Sequence, residues 1–485
     1  MLLGLVAGAA LAACGPLTSP RDPASDAPAA SPPLAIVGGT LVDLADYGTS
    51  SRDVRDAVVI VEGDRIVAAG PRSAVRVPRE ARVLDARGGY IVPGLIDGFA
   101  SQANQAFANA YLYMGVTSVV TRLPVQDRSE ERRDPRRNPT FASADPSPRL
   151  FFYDLVSGVS SEGERPMTAA EARADVERLA AAGAKVLLLY YPLRPGPLRA
   201  AAARARELGL ATIGELGATT YYEAQEAGVD AFVHTGRYSL ELTPPELRKR
   251  VAQAPFGPPR QELYAYLGRL TPQDAAVTRH AEKLAAGPSL LIPTLSLNYL
   301  DMPGHANPWR EPIAKIISPA DIHLAADPQT GQPPVPPEQV RDATPSDTWR
   351  TLMMLDEQYR KAGAHYLTGS GTSAFGTMPG ISLHTELALL VRIGLTPRQA
   401  LAAATTSYSA LPPWRQLGRV APGHAADLLI LDADPTVDIG NAKKIRTVVL
   451  KGQEIDRERL MSMAEGVGFE PTGRVNDRRF SRPLL

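Results

Sequence analysis

Between residues 91 and 369, short apolar runs with strand character alternate with runs rich in Ala and Leu, and this alternation constrains the fold more than any other feature. The strand candidates are 91–96, 118–121, 150–155, 186–191, 211–214, 231–234, 290–296 and 366–369, with helices between them, as at 168–182, 197–208 and 221–227. Strands that alternate with helices of this length read as βαβ units and a parallel sheet. Eight such units close into a (β/α)8 TIM barrel of the α/β class. The turns into the strands carry glycine, as in Ala182-Gly183-Ala184 and Ala227-Gly228-Val229, where a helix end favours left-handed backbone.

The flanks differ. Residues 34–86 form short alternating strands with turns, including Ala35-Ile36-Val37 and Arg65-Ile66-Val67 around a Gly63-Asp64 turn. A matching β-rich unit near the other end contains Asp427-Leu428-Leu429-Ile430-Leu431 and Thr447-Val448-Val449-Leu450. Two such flanks around an α/β middle predict a small composite β-sandwich built from both chain ends. The expected division is a lipoprotein-type signal at 1–14, a disordered tether at 15–33, the N-terminal portion of the sandwich at 34–90, the barrel at 91–411, the C-terminal portion of the sandwich at 412–456 and a disordered tail at 457–485.

Residues 1–13 are an apolar and small-residue run that ends Leu11-Ala12-Ala13-Cys14-Gly15, the pattern of a bacterial lipobox without the usual basic residue near Met1. The run is too short to span a bilayer, which takes about 20 residues, but it suits an export signal. Cys14 is the only cysteine, so an intramolecular disulfide is excluded and lipidation is the expected use of the thiol. The expected location is the bacterial cell envelope, as a lipoprotein facing the periplasm. Lys plus Arg and Asp plus Glu number 52 each, so no global field draws the chain to nucleic acid or an anionic membrane surface. The expected partners are a small-molecule or peptide ligand and no nucleic acid, with membrane contact only through the N-terminal lipid anchor and a homo-oligomer left open.

Three stretches are too polar or proline-rich for the barrel repeat: 122–148, 236–287 and 297–349. The last, with Tyr299 and Trp309, is the lid candidate, because long loops in compact domains tend to be functional or disordered. In the tail, Gly468-Phe469-Glu470-Pro471 back-translates to the T-arm sequence of a transfer-RNA gene, so no selected function is expected there.

Several motifs in order, Val92-Pro93-Gly94-Leu95-Ile96-Asp97, Gly115-Val116-Thr117-Ser118, Ser382-Leu383-His384-Thr385-Glu386 and Gly394-Leu395-Thr396-Pro397, together resemble the amidohydrolase superfamily, in particular its imidazolonepropionase-like and prolidase-like members. The resemblance implies hydrolysis of carbon–nitrogen bonds at a divalent metal, zinc or another, whose Lewis acidity supplies hydroxide near neutral pH. It places the metal ligands at Phe99 and Ser101 after the first strand, near Leu188 on the fourth, at Gly214 with Glu215 beside it on the fifth, at His234 on the sixth and at Gly371 on the eighth. Only His234 is a ligand type where the family would have one, and a catalytic zinc takes three protein groups. None of the seven histidines stands in a His-X-His pair. No metal and no cofactor is therefore expected, and Asp97 is expected to fix the strand-to-loop turn.

His234 at a strand end reads either as a histidine hydrogen-bonded inside the barrel mouth or as a ligand contact, and Glu215 could pair with it as an acid/base couple. Phe99, Tyr153, Tyr190 and Tyr191 would surround the same mouth, either as a stacking pocket or as core. His384 and His424 read as structural, and His280, His305 and His323 as solvated. The leading expectation is a pseudoenzyme that binds a small molecule, peptide or protein partner at the mouth. The alternatives are a hydrolase with an atypical metal site or the His234/Glu215 couple, and a decayed paralogue or assembly scaffold.

Overall fold

The computed structural model describes residues 32–123, 146–160, 165–333 and 347–462. The expected signal with Cys14, all but the end of the tether and most of the tail lie outside the described residues. At the start of the tail, residues expected to be disordered form a helix, Arg457–Ser462. Leu460 explains this: it is buried, and its carbonyl accepts from the side chain of Asn109 (2.9 Å). Among the described residues no helix is long and apolar enough to cross a membrane.

The N-terminal flank contributes β1 (Leu34–Leu41), β2 (Val54–Glu62), β3 (Arg65–Pro71), β4 (Arg82–Asp85) and β5 (Tyr90–Pro93). The barrel strands follow: β6 (Leu95–Asp97), β7 (Val116–Arg122), β8 (Arg149–Val156), β9 (Val186–Leu189), β10 (Ala211–Gly214), β11 (Ala231–Val233) and β12 (Leu290–Ile292). They form a parallel sheet in sequence order. The eighth segment, expected as a strand over 366–369, makes one bridge, Tyr366 with Leu291. On its other side Gly98 N–H donates to Thr368 O (3.1 Å) and Thr368 Oγ1 to Ile96 O (2.9 Å), so the segment joins the last strand to the first.

Period-two alternation sorts the strand side chains into two layers. Ile96, Val120, Val186, Leu188, Ile213, Val233, Ile292 and Leu367 fill the barrel interior, whereas Leu187, Leu189, Phe232 and Leu291 pack outward against the helices. Threonine caps start several of those helices: Thr168 with Glu171, Thr220 with Glu223 and Thr396 with Gln399 each form a capping box. Gly228 takes the left-handed conformation at the end of helix Tyr221–Ala227, with φ 78°.

The expected single first strand at 91–96 is two strands. Gly94 separates β5, which belongs to the flanking sheet, from β6, which belongs to the barrel. A Cβ at Gly94 would fall 2.2 Å from Thr117 Oγ1, so only glycine lets the chain pass between the two sheets here.

The C-terminal flank adds β13 (Leu428–Leu431), β14 (Ile445–Leu450) and β15 (Gln453–Ile455). With β1–β5 they make one mixed eight-stranded sheet ordered β15-β14-β13-β5-β1-β2-β3, with β4 paired to β1. The sheet curls: Ile66 N–H donates to His424 O (2.9 Å) and Ala426 N–H to Asp64 O (2.8 Å), enclosing Ile36, Val59, Ile66, Ile91, Leu428, Ile430 and Val449.

Of the three stretches outside the repeat, most of 122–148 lies outside the described residues. The stretch 236–287 carries helices Pro245–Gln253, Pro259–Leu267 and Ala275–Ala285. The lid candidate runs through 3-10 turns to residue 333 and is held down by buried Ile313, Ile316, Ile317 and Ile322; residues 334–346 lie outside the described residues. Trp309 donates from Nε1 to Ala326 O (2.6 Å) and Tyr299 OH accepts from Ala306 N–H (2.8 Å), so both hold this stretch together.

Candidate active site

The C-terminal ends of the barrel strands carry the candidate residues. At β6, Asp97 is fully buried, and its Oδ1 accepts from Ser370 N–H (2.8 Å), which ties the first strand to the eighth segment. Burial pushes its carboxyl up to about 6, against the hydrogen bonds that favour the charged form. Gly98 follows because no side chain fits: a Cβ would meet Tyr408 OH at 1.8 Å. Phe99 then turns into the mouth.

On β9, Leu188 points into the apolar interior and Tyr190 stands above it, half-buried. On β10 the alternation puts Ile213 inside and makes Gly214 face outward, toward Leu216 and Phe232. The inward position at the strand end is therefore that of Glu215, whereas the resemblance placed the family ligand at Gly214. On β11, His234 breaks the alternation with φ 57°, and this left-handed backbone turns its ring into the mouth. Ring and carboxyl meet with His234 Nε2 3.5 Å from Glu215 Oε1, at side-chain exposures of 10% and 12%.

Thr294 Oγ1 lies 2.6 Å from Pro293 O and 2.5 Å from His234 Nδ1. When its one proton goes to Pro293 O it accepts from Nδ1, which then carries the ring proton and leaves a lone pair on Nε2 toward Glu215. Burial, and then the cations Arg237 and Arg260, hold the His234 imidazole well below its ordinary pKa, so it is neutral. Burial raises the Glu215 carboxyl to about 7 despite the same two cations, so near neutrality a large share of it is protonated. The result is a neutral imidazole acceptor beside a carboxyl that can donate.

The predicted aromatics fall into two groups around this pair. Phe99 sets its ring against His234 (5.3 Å between centroids, 88° between planes) and stacks on Tyr153 (5.7 Å, 24°). Tyr190 meets Tyr191 edge-on (4.9 Å), and Tyr191 meets Tyr238 in the same way (4.7 Å). Phe99, Tyr153 and Tyr190 are half-buried, whereas Tyr191 is only 4% exposed and packs as core.

Sequence reasoning missed Thr294, Tyr238 and the two arginines. Arg237 and Tyr238 follow His234 by three and four positions, so the run His234-Thr235-Gly236-Arg237-Tyr238 was the signal for them. Arg260 comes from helix Pro259–Leu267 and had no such signal.

Histidines outside the mouth take structural places. His384 is buried with Nε2 2.8 Å from Met114 O, and His424, partly buried, has Nδ1 3.4 Å from Pro422 O. His280 was expected to be solvated but is buried: it lies on the face of helix Ala275–Ala285 that also buries Val277, Ala281 and Leu284. Its Nδ1 is 2.8 Å from Tyr222 OH, and burial lowers its pKa to about 3. His305 is partly buried against Tyr299, whereas His323 is exposed as expected.

A family-type metal centre does not fit these residues. Phe99 offers no donor, and Ser101 gives its hydroxyl to Thr372 O (2.7 Å). Leu188 belongs to the apolar interior. At Gly371 a Cβ would lie 2.5 Å from Leu297 Cδ2, so a carboxylate there would displace Leu297. What remains is one imidazole, engaged at Nδ1, and one carboxyl, short of the three ligands of a catalytic zinc. Among the described residues no group of three or more His, Cys, Asp and Glu is placed to hold a metal ion.

No protein-family model and no curated protein matches the sequence. Solved structures do match. Phenylurea hydrolase B superposes with a TM-score of 0.58 at 18% identity, covering 89% of this chain and 98% of its own. Ochratoxinase from A. niger gives 0.57 at 15%, covering 87% and 95%, and an amidohydrolase gives 0.56 at 16%, covering 87% and 98%.

Proposed function

We propose that this chain, which has the amidohydrolase-superfamily fold, is a metal-free pseudoenzyme that binds a small molecule or peptide at the barrel mouth. The donor set carries this reading: Phe99, Ser101, Leu188 and Gly371 stand at four positions where the resemblance puts metal ligands, and packing or hydrogen bonds account for each. The half-buried rings of Phe99, Tyr153 and Tyr190 offer a stacking surface to a planar or apolar ligand. Turnover assays over amides, dipeptides and lactams test it. No hydrolysis above background is expected, and hydrolysis that survives chelation but is lost in Glu215→Gln would replace this reading with the next.

The His234/Glu215 contact favours a second reading, hydrolysis of a carbon–nitrogen bond without metal. In it, neutral His234 takes a proton at Nε2 from an attacking water, and the protonated Glu215 carboxyl gives one to the departing nitrogen. Such activity would fall as the pH rises through about 7, because Glu215 loses its proton there.

For location we propose the cell envelope, through a lipid on Cys14 and a tether to about residue 33. The support is the apolar run that ends at Cys14 and the composition that follows it. Fractionation of cells carrying Cys14→Ser would show release from the membrane pellet, and an unchanged distribution would contradict the anchor.

A further inference from the structure

The guanidinium groups of Arg237 and Arg260 border the mouth. Arg237 begins the loop after β11, where its N–H donates to His234 O (2.9 Å), and its side chain is half-buried. Arg260, also half-buried, lies over the rings of Tyr191 (5.2 Å), Tyr238 (5.8 Å) and Tyr264 (5.4 Å), and its Nε donates to Tyr264 OH (2.6 Å). Among the described residues neither guanidinium has a carboxylate within ion-pair distance. Among the other arginines, Arg149 pairs with Asp427 (2.6 Å), Arg250 with Glu262 (2.6 Å) and Arg398 with Asp53 (2.7 Å), whereas Arg206, Arg248, Arg360 and Arg457 donate to backbone carbonyls, an outlet that the side chains of Arg237 and Arg260 do not use among the described residues.

The polar contacts of Arg260 are to neutral hydroxyls, the longer ones to Tyr238 (3.4 Å) and Tyr191 (3.5 Å). Partly desolvated like charges without a counter-ion are unfavourable, and an arriving anion relieves both the repulsion and the missing bonds. Arg260 reaches the mouth through Tyr238, whose ring lies 6.3 Å from that of His234, and Arg237 is joined to it by its backbone bond to His234; burial, and then both cations, act on His234.

We propose that Arg237 and Arg260 form a subsite for the carboxylate of a small-molecule ligand whose aromatic or apolar body lies against Phe99 and Tyr153. The subsite rests on the ligand-binding reading above. A planar carboxylate matches the fork of a guanidinium in two parallel bonds, and the tyrosine stack holds Arg260 in place beforehand.

Calorimetric titration of the full chain with N-benzoylglycine and with its uncharged amide tests the subsite. The acid should bind about tenfold or more tightly than the amide, the effect of one charge-assisted hydrogen bond. Arg237→Gln, in a side chain without structural partners among the described residues, should remove most of that preference while leaving the melting temperature near wild type. Arg260→Lys keeps the charge but not the fork and should reduce the preference partly. Equal binding of acid and amide, with both weakened by Phe99→Ala, would overturn the carboxylate subsite and leave the mouth as a ligand site. Binding of neither compound would overturn the subsite together with the reading it rests on.

Discussion

Glu215 and His234 hold opposite protonation preferences for one reason, their shared burial, and this makes their pH behaviour predictable. The Glu215 carboxyl, ordinarily near 4.5, sits at about 7 in the folded chain. A raised carboxyl supports the fold below its unfolded pKa, and that support is lost as pH climbs from about 4.5 to 7, because the unfolded chain releases the proton more readily. Glu215→Gln should therefore leave stability at pH 4.5 nearly unchanged and raise it by about 1–3 kcal/mol at pH 8. Urea midpoints at the two pH values measure this, and a variant that loses stability at pH 8 would show that the ionised carboxylate is held by the mouth after all. Gly98 leaves no room for a side chain, since an added methyl would meet Tyr408 OH at 1.8 Å and Thr368 O at 2.9 Å. Gly98→Ala should cost about 1–3 kcal/mol of unfolding free energy by overpacking, seen as a fall in melting temperature. The residue types that stand where the resemblance puts metal ligands were readable from the sequence because each occupies a motif position. That Glu215 and not Gly214 takes the inward position on this strand was not, since it depends on where a four-residue strand ends and on which face Gly214 falls.

The barrel strands were legible as elements because short apolar runs mark them, and their helices because Ala- and Leu-rich runs lie between, with glycine at the turns that follow. The break at Gly94 was not, because an uninterrupted apolar run cannot show that two sheets claim its halves. The burial of His280 was readable in principle from its spacing to Val277, Ala281 and Leu284 but was obscured by the proline-rich surroundings. The stretch read as a lid is packed through isoleucines, and this too can be measured. Ile313 is fully buried, so Ile313→Ala should destabilise the fold by about 2–5 kcal/mol through the cavity it leaves. A cost below about 0.5 kcal/mol in a urea titration, the range of an ordinary surface substitution, would mean that these turns are loosely attached.

At the scale of the molecule, both chain ends meet in one curled sheet, and ion pairs clamp it to the barrel: Arg149 with Asp427 and Arg398 with Asp53. That composite arrangement could be foreseen from two β-rich flanks, but the curl could not, because it is made by backbone bonds between residues from opposite ends of the chain, such as Ile66 and His424. The fold is thus complete, while the residues at the positions where the resemblance puts metal ligands are accounted for by packing and hydrogen bonds. The most direct measurement is the metal content of the purified full chain, determined by plasma mass spectrometry after incubation with zinc, manganese or iron and gel filtration. The account predicts far less than one equivalent of any of them, unchanged in His234→Ala. One or two equivalents retained by the wild type and lost from His234→Ala would contradict it.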